Sequence, residues 1–219
     1  MNGIILLAFD CSNRWSSIGL WADGRPAAEF NADMGRRQAS ELPCATQKLL
    51  QTNGWAISDL NALAVTVGPG YFTGIRIGMA YAAGLACALG IDIVPLSSLE
   101  VLLRSLPQWD TGVKVPLIAA SRERVFSAAW RDGVPLLPEK ERSRDELLSE
   151  LGECAPQAEL WAADDPRLFA SGGRESVKFV ECPSGAAAAQ LARENIDKSI
   201  KPDGLRARYL REPGLGRSL

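Results

Sequence analysis

Asp10 is the first residue of this sequence whose type and position could serve a reaction, because it directly follows the short apolar segment Ile4–Phe9. A carboxylate at the end of a buried strand can hold Mg²⁺ and its water, and a glycine in the next turn lets the backbone approach a phosphate. In this chain Cys11 and Ser12 occupy the turn, and no glycine follows before Gly19. The alternative interpretation is a polar strand-end residue that accepts hydrogen bonds from backbone N–H groups of the turn.

The composition excludes several kinds of catalytic site. The 219 residues include no histidine, which rules out a His-based triad, a His zinc site and an imidazole general base. The acidic residues form no recognisable set with Asp10, so a two-metal nuclease is not expected. The five cysteines are scattered without a C-x-x-C pair, which is typical of reduced thiols in a cytosolic protein. A formal net charge of −2 disfavours a chain that wraps nucleic acid by itself.

A glycine-rich block, Val67-Gly68-Pro69-Gly70-Tyr71-Phe72-Thr73-Gly74, joins a short β-rich run to an apolar helix. Backbone N–H groups at such a helix start can bind an anion, and Thr73 is placed to cap the helix. The block matches neither the G-x-x-x-x-G-K-[ST] nor the G-x-G-x-x-G phosphate loop. The favoured interpretation is therefore a sharp turn between strand and helix that needs no ligand.

The helix predicted over Thr73–Leu89 carries a small residue at every fourth position, namely Gly74, Gly78, Ala82 and Ala86. These positions form a smooth stripe, which we call the small-residue stripe, where another helix can approach closely. Gly78 and Gly84 each cost about 1 kcal/mol against alanine, so close packing should offset them. The partner is a helix of the same chain or of another subunit. The apolar run Ile77–Leu89 is shorter than the ~20 residues that cross a bilayer.

The two halves of the sequence repeat one order of elements. Asp23-Gly24 and Asp132-Gly133 predict a hairpin turn in each half, and Ser143 with Glu146 predicts a capping box. In the first half the elements follow the order β-β-β-α-β-α-β, over Ile4–Asp10, Ser17–Trp21, Pro26–Phe30, Leu42–Asn53 (begun by Ser40 as a cap), Ala62–Val67, Thr73–Leu89 and Ile91–Pro95. The second half supplies Val113–Ala119, Val125–Trp130, Val134–Leu137, a helix from Ser143, Glu159–Ala163, Val177–Val180 and a helix over Ala186–Asn195.

This repeat predicts an α/β protein with the two-lobed actin-like, ribonuclease-H-like (ASKHA) fold, in which each lobe is a mixed sheet. Residues 1–106 would form the N-terminal lobe and residues 107–219 the smaller C-terminal lobe, with a hinge at Pro107–Gly112. The second-lobe strand end that matches Asp10 reads Ala119-Ala120-Ser121 and carries no carboxylate. A nucleotide site with acidic groups from both lobes is therefore not expected.

The sequence resembles the TsaB (YeaZ) family over Leu6–Ser12, over Gly35–Leu42 and above all over Gly68–Gly78. Pro95–Glu100 extends the resemblance to about the first hundred residues, and Tyr209-Leu210-Arg211 is similar to the closing motif of the family. The glycine-proline-glycine block is shared with the catalytic paralogue TsaD. That paralogue binds a metal through histidines, which this chain lacks.

The resemblance implies a non-catalytic subunit in the formation of threonylcarbamoyladenosine in tRNA, without a cofactor or metal of its own. Its partners would be a TsaD-like catalytic paralogue, bound through first-lobe helices, and a TsaE-like ATPase, with tRNA met only indirectly and no membrane. Asp10 and Ser12 would be a degenerate remnant of a nucleotide site, and Gln38 replaces the histidine common in the family. We expect the partner contacts at Leu42, Leu49, Ile75, Arg76, Gly78, Met79 and Ala82.

Three further expectations accompany this assignment. If the small-residue stripe lacks its partner, two copies of the chain are expected to form a symmetric homodimer in the cytoplasm. The alternative function is an autonomous small-molecule kinase of the actin-like superfamily, based on Asp10 and the two lobes. A third hypothesis is a tRNA-binding module with a basic tail formed by Arg206, Arg208, Arg211 and Arg217. The favoured interpretation of this tail is a solvated chain end.

Overall fold

The computed structural model describes residues 3–162 and 177–210. Within these ranges each half of the chain forms a five-stranded mixed sheet. The first sheet has the order β3-β2-β1-β4-β5 and consists of β1 (Leu6–Asp10), β2 (Trp15–Ala22), β3 (Arg25–Asp33), β4 (Ala62–Thr66) and β5 (Ile93–Leu96). The second has the order β10-β9-β6-β7-β8 and consists of β6 (Val113–Ala119), β7 (Arg124–Arg131), β8 (Val134–Ser143), β9 (Glu159–Ala162) and β10 (Lys178–Phe179).

The described helices lie between and after these strands. They are α1 (Gln38–Thr52), α2 (Phe72–Leu89), α3 (Ser98–Arg104), α4 (Arg144–Cys154) and α5 (Gly185–Glu194).

The two sheets have the same topology, which confirms the predicted two-lobed α/β fold. In the first sheet β1 pairs antiparallel with β2 and parallel with β4, and in the second β6 pairs in the same two ways with β7 and β9. The first lobe follows the predicted element order. The counterpart of α2 in the second lobe would fall in residues 163–176, which lie outside the described residues.

Local sequence signals account for most of the turns and ends. Asp23 and Asp132 have φ values of 54° and 51°, and each is followed by a glycine at positive φ, as the hairpin turn requires. Ser143 and Glu146 form the predicted capping box at the start of α4. The two other predicted caps are wrong: α1 begins after Arg37, two residues before Ser40 is reached, and α2 begins after Tyr71, so Thr73 is already inside the helix.

Two helices cross between the lobes, and each packs on the sheet formed by the other half of the chain. Helix α3 comes from the first half, yet Leu99, Leu102 and Leu103 pack with Ile118 and other residues of the second sheet. Helix α5 comes from the second half, yet its alanines pack against Leu6 and other residues of the first sheet. Each lobe is therefore completed by a helix from the opposite half of the chain.

The last described segment, residues 200–210, returns to the first lobe. Ile200 forms an antiparallel bridge with Ile93 of the edge strand β5, and Leu205 is buried in the first-lobe core. The backbone N–H of Arg208 donates to the carbonyl oxygen of Val67 at 2.7 Å. The segment thus runs across the end of β5 to the glycine-rich block.

Helix α2 is longer than the apolar run read from the sequence. Among the described residues it alone has the length and hydropathy of a membrane-crossing helix, and 28% of it is buried within the protein. Core helices of soluble proteins share these two properties. The exposed apolar remainder of α2 is therefore a feature that needs an explanation.

Candidate functional site

Asp10 lies at the carboxyl end of β1 and is 2% exposed. Its Oδ1 accepts hydrogen bonds from the backbone N–H of Ser12 at 2.8 Å and from Thr66 Oγ1 at 3.0 Å. The first of these bonds is the turn-stabilising contact expected of a polar strand-end residue. The second ties β1 to the neighbouring strand β4.

Three buried polar atoms near this turn have no hydrogen-bond partner among the described residues: Asp10 Oδ2, Ser12 Oγ and Asn13 Nδ2. Burial raises the pKa of Asp10 above its usual value, since desolvation outweighs the hydrogen bonds from Ser12 and Thr66. The carboxylate is therefore sealed under its own turn. Its burial limits direct access by a nucleotide or a metal ion from solvent.

Gln38, at the start of α1, holds this turn from the other side. Its Nε2 donates to the carbonyl oxygens of Asn13 at 3.0 Å and of Trp15 at 3.2 Å, and the side chain is buried. The residue that replaces the common histidine of the family thus connects α1 to the β1–β2 turn. This structural role could not be read from its position in the sequence.

The glycine-rich block closes over the same turn. The backbone N–H of Tyr71 donates to the carbonyl oxygen of Ser12 at 2.6 Å. A Cβ placed on Gly70 would lie 2.3 Å from that same oxygen, and φ at Gly70 is +154°. The glycine is required here because the backbone of the block packs directly on the backbone of the turn. The preferred interpretation of the block as a sharp strand-to-helix turn agrees with this packing.

Glu139, a carboxylate of the second lobe, lies near this end of the first sheet and makes structural contacts. Ser97 Oγ donates to Glu139 Oε1 at 2.5 Å, and Arg208 pairs with Glu139 Oε2 at 2.8 Å. At the matching strand end, the N–H groups of Ala120 and Ser121 donate to the carbonyl oxygen of Arg124. Glu139 therefore links β8 to the start of α3 and to the final segment.

The small-residue stripe of α2 faces its own lobe. A Cβ placed on Gly74 would lie 2.1 Å from the carbonyl oxygen of Cys11, and one on Gly78 would lie 3.2 Å from Cys11 Cβ. Ala82 and Ala86 are fully buried. The close approach predicted from the spacing is real, but its partner is the end of β1 rather than another helix.

Most of the residues expected at the partner contact are buried in the isolated chain. Leu42, Leu49 and Ile75 are buried, the first two in the first-lobe core cluster. Gly78 and Ala82 are buried as well, so these five positions serve the packing of the lobe itself. Helices α1 and α2 need these apolar side chains to pack on the sheet. Arg76, which is exposed, and Met79, which is half-buried, remain available.

A second set of small residues lies on the opposite side of α2 and was missed. Ala80, Gly84, Cys87 and Ala88 are exposed, and Ile77 beside them is half-buried. No atom lies within 4 Å of the position that a Cβ on Gly84 would occupy. We call this surface, formed by Ile77, Ala80, Gly84, Cys87 and Ala88, the open face of α2. Its spacing of three, four and three residues was a readable signal.

Comparison with known proteins places this chain in a family. The family model described as TsaD, tRNA N6-adenosine threonylcarbamoyltransferase, matches residues 33–134. The protein named tRNA threonylcarbamoyladenosine biosynthesis protein TsaB from Bacillus subtilis is 30% identical over 164 residues, which cover 75% of this chain and 69% of that protein. This chain belongs to the TsaB family. The protein of the same name from Escherichia coli K12 is 32% identical over 127 residues, covering 58% of this chain and 54% of the relative.

The family match agrees with the fold. A Pseudomonas aeruginosa crystal structure, described as an uncharacterized protein similar to peptidase YeaZ, superposes with a TM-score of 0.79. The two sequences are 23% identical, and the superposition covers 95% of this chain and 100% of the Pseudomonas aeruginosa chain. The match to the Escherichia coli relative spans about half of that protein's length.

The basic tail is engaged within the fold as far as it is described. Arg206 donates to the carbonyl oxygen of Asp203, and Arg208 is paired with Glu139. Arg211 and Arg217 lie outside the described residues. The tail as a whole therefore gives no separate support to a tRNA-binding module.

Proposed function

We propose that this chain is a non-catalytic scaffold and activator subunit for threonylcarbamoyl transfer to the adenosine next to the anticodon of tRNAs. It would act in the cytoplasm by pairing with a TsaD-like catalytic paralogue, and a TsaE-like ATPase would complete the assembly. In the absence of the paralogue, two copies would pair through the same surface. The observation that carries the proposal is the open face of α2 on a member of the TsaB family.

The open face has the properties of a helix-pairing surface. Ala80, Gly84 and Ala88 present no long side chain, so the backbone of a second helix could approach to the short end of the 8–10 Å range. The helix is apolar along its length, yet only 28% of it is buried in the isolated chain. Burial of this surface against a partner would remove apolar area from water at roughly 25 cal/mol per Å².

The residues at the strand ends of the two lobes favour an accessory rather than a catalytic role. Asp10 is sealed beneath its turn, the matching end of β6 has no carboxylate, and Glu139 is engaged by Ser97 and Arg208. The sequence contains no histidine, so neither a Ser-His nor a Cys-His peptidase can form. These observations disfavour the autonomous kinase because, among the described residues, the hydrogen bonds to Asp10 come from Ser12 and Thr66, and neither is a charged group that could clamp a nucleotide.

The proposal is tested by Gly84→Arg. The side chain would project from the open face into free space, so the isolated chain should fold and gain about 1 kcal/mol of helix propensity. Association with the paralogue should fall at least tenfold, and stimulation of threonylcarbamoyl transfer should fall with it. Analytical ultracentrifugation measures both heterodimer and homodimer, and a reconstituted tRNA modification assay measures the stimulation.

Gly152→Arg is the matched control. Gly152 lies in α4 of the second lobe, is exposed, and likewise has no atom within 4 Å of its Cβ position. That variant should associate and stimulate as the wild type does. Unchanged association of Gly84→Arg would remove the open face from the proposal. Transfer activity of the chain without its paralogue would overturn the non-catalytic role.

A further inference from the structure

An aromatic cluster is exposed where α2 begins. Five large hydrophobic side chains are exposed among the described residues, and three of them meet in this place: Tyr71 at 42%, Phe72 at 51% and Tyr209 at 45%. The other two, Val134 and Phe179, belong to the second lobe. Exposed rings gathered at one point of a surface mark an interaction site.

The rings are held in place by one another and by Arg76. Phe72 and Tyr209 stack with their centroids 5.5 Å apart and an angle of 27° between the ring planes. The Arg76 guanidinium lies 3.6 Å from the Phe72 centroid, and its Nε donates to the Tyr209 hydroxyl at 3.1 Å. We call Phe72, Arg76 and Tyr209 the aromatic clamp. A ligand would meet rings that are already ordered, so little side-chain entropy would be lost on binding.

The surroundings of the aromatic clamp favour an anionic ligand. Among the described residues no carboxylate pairs with Arg76, and the first turn of α2 contains no acidic residue. The amino end of α2, with its positive dipole charge, therefore lies beside the rings.

We propose that the aromatic clamp binds unpaired bases of RNA, with the substrate tRNA of the proposed function as the source. Flat rings and a guanidinium stack on any base, and the positive amino end of α2 attracts the phosphates. The clamp offers rings and a cation but no aliphatic side chain, which favours a nucleobase over a protein partner. This inference rests on the proposed function and revises the expectation that the chain meets tRNA only through its partner.

The test measures fluorescence anisotropy of a labelled anticodon stem-loop RNA with the full chain, both alone and assembled with its paralogue. Phe72→Ala should weaken binding about 5- to 150-fold, the range for loss of one base stack on an aromatic ring. Phe72→Trp should restore it, because the ring is restored. Arg76→Gln should reduce the slope of log K against log salt by about 1. Phe179→Ala, which removes an equally exposed ring of the second lobe, should bind RNA as the wild type does.

A fully paired RNA duplex serves as the second probe and should bind equally to the wild type and Phe72→Ala. Equal binding of the stem-loop by Phe72→Ala and wild type, or no RNA binding by the wild type, would overturn the inference. Loss of paralogue association with unchanged RNA binding would also overturn it and identify a protein-docking surface. The Gly84→Arg experiment is independent of these readouts, so the proposed function can fail or hold separately.

Discussion

A single methyl group added at Gly19 should disrupt the contact between the two halves of the chain. Gly19 lies in β2, and a Cβ there would be 1.7 Å from the carbonyl oxygen of Gly185, the first residue of α5. Real Cβ contacts essentially never fall below 3.0 Å, so the two backbones would have to separate by about 1.3 Å. Neither side can yield by rotating a side chain, because the backbone fixes the position of the Cβ and the atom it meets is a backbone carbonyl oxygen.

The cost of Gly19→Ala follows from what that separation breaks. The start of α5 is fixed by Glu29, whose Oε2 accepts from Ser184 Oγ at 2.7 Å and from the N–H of Ala186 at 2.9 Å. Overpacking costs about 1–3 kcal/mol, and loss of a helix cap adds about 1 kcal/mol. For a chain of this size a total of about 2–4 kcal/mol corresponds to a fall in Tm of about 5–15 °C.

Thermal unfolding followed by circular dichroism measures this effect, with Gly152→Ala as the control. The control adds the same methyl group to an open helical position and should raise Tm slightly. Gly185→Ala should destabilise through the same contact, since its Cβ would lie 2.3 Å from the carbonyl oxygen of Ile18. The double variant should cost less than the sum of the two, because one displacement relieves both clashes. A Tm for Gly19→Ala equal to that of the wild type would refute the packing described here.

Two pH-dependent predictions concern carboxylates with opposite pKa shifts. Burial raises the pKa of Asp10, so its contribution to stability is full below the usual value of 3.8 and declines as the pH rises through the raised value. Asp10→Asn should therefore have a higher Tm than the wild type at pH 7 and lose that advantage near pH 4; a lower Tm at pH 7 would contradict this. Hydrogen bonds from Lys114 and Lys178 lower the pKa of Glu159 to about 2, so its stabilisation is present above 4.5 and is lost as the pH falls toward 2. Glu159→Gln should lower the free energy of unfolding by about 1 kcal/mol at pH 7, a value that already allows for solvent screening. Urea unfolding should show that the difference in free energy between variant and wild type becomes smaller below pH 4.5. A difference that stays constant across that range would exclude the ion pairs as its cause.

The sequence predicted the elements more reliably than their contacts. The Asp-Gly hairpins and the Ser143 capping box are decided by neighbouring residues, and each is found as predicted. The caps at Ser40 and Thr73 failed because the packing of α1 and α2 on the sheet sets where these helices begin. Asp10 was recognised as a candidate, but its burial beneath the turn depends on Gln38 and Gly70, which are distant in the sequence.

The sequence by itself determined the repeated order of elements, the absence of imidazole chemistry and the family resemblance, because these depend on residue types and local spacing. Only the tertiary structure decided which side of α2 is free. Small residues occupy both Gly74–Ala86 and the opposite side around Gly84, so helical periodicity gives two equivalent stripes. The end of β1 covers the first stripe at Cys11 and leaves the second in solvent. The exchange of α3 and α5 between the lobes was decided in the same way, since an apolar helix face specifies that it must be buried but not against which sheet.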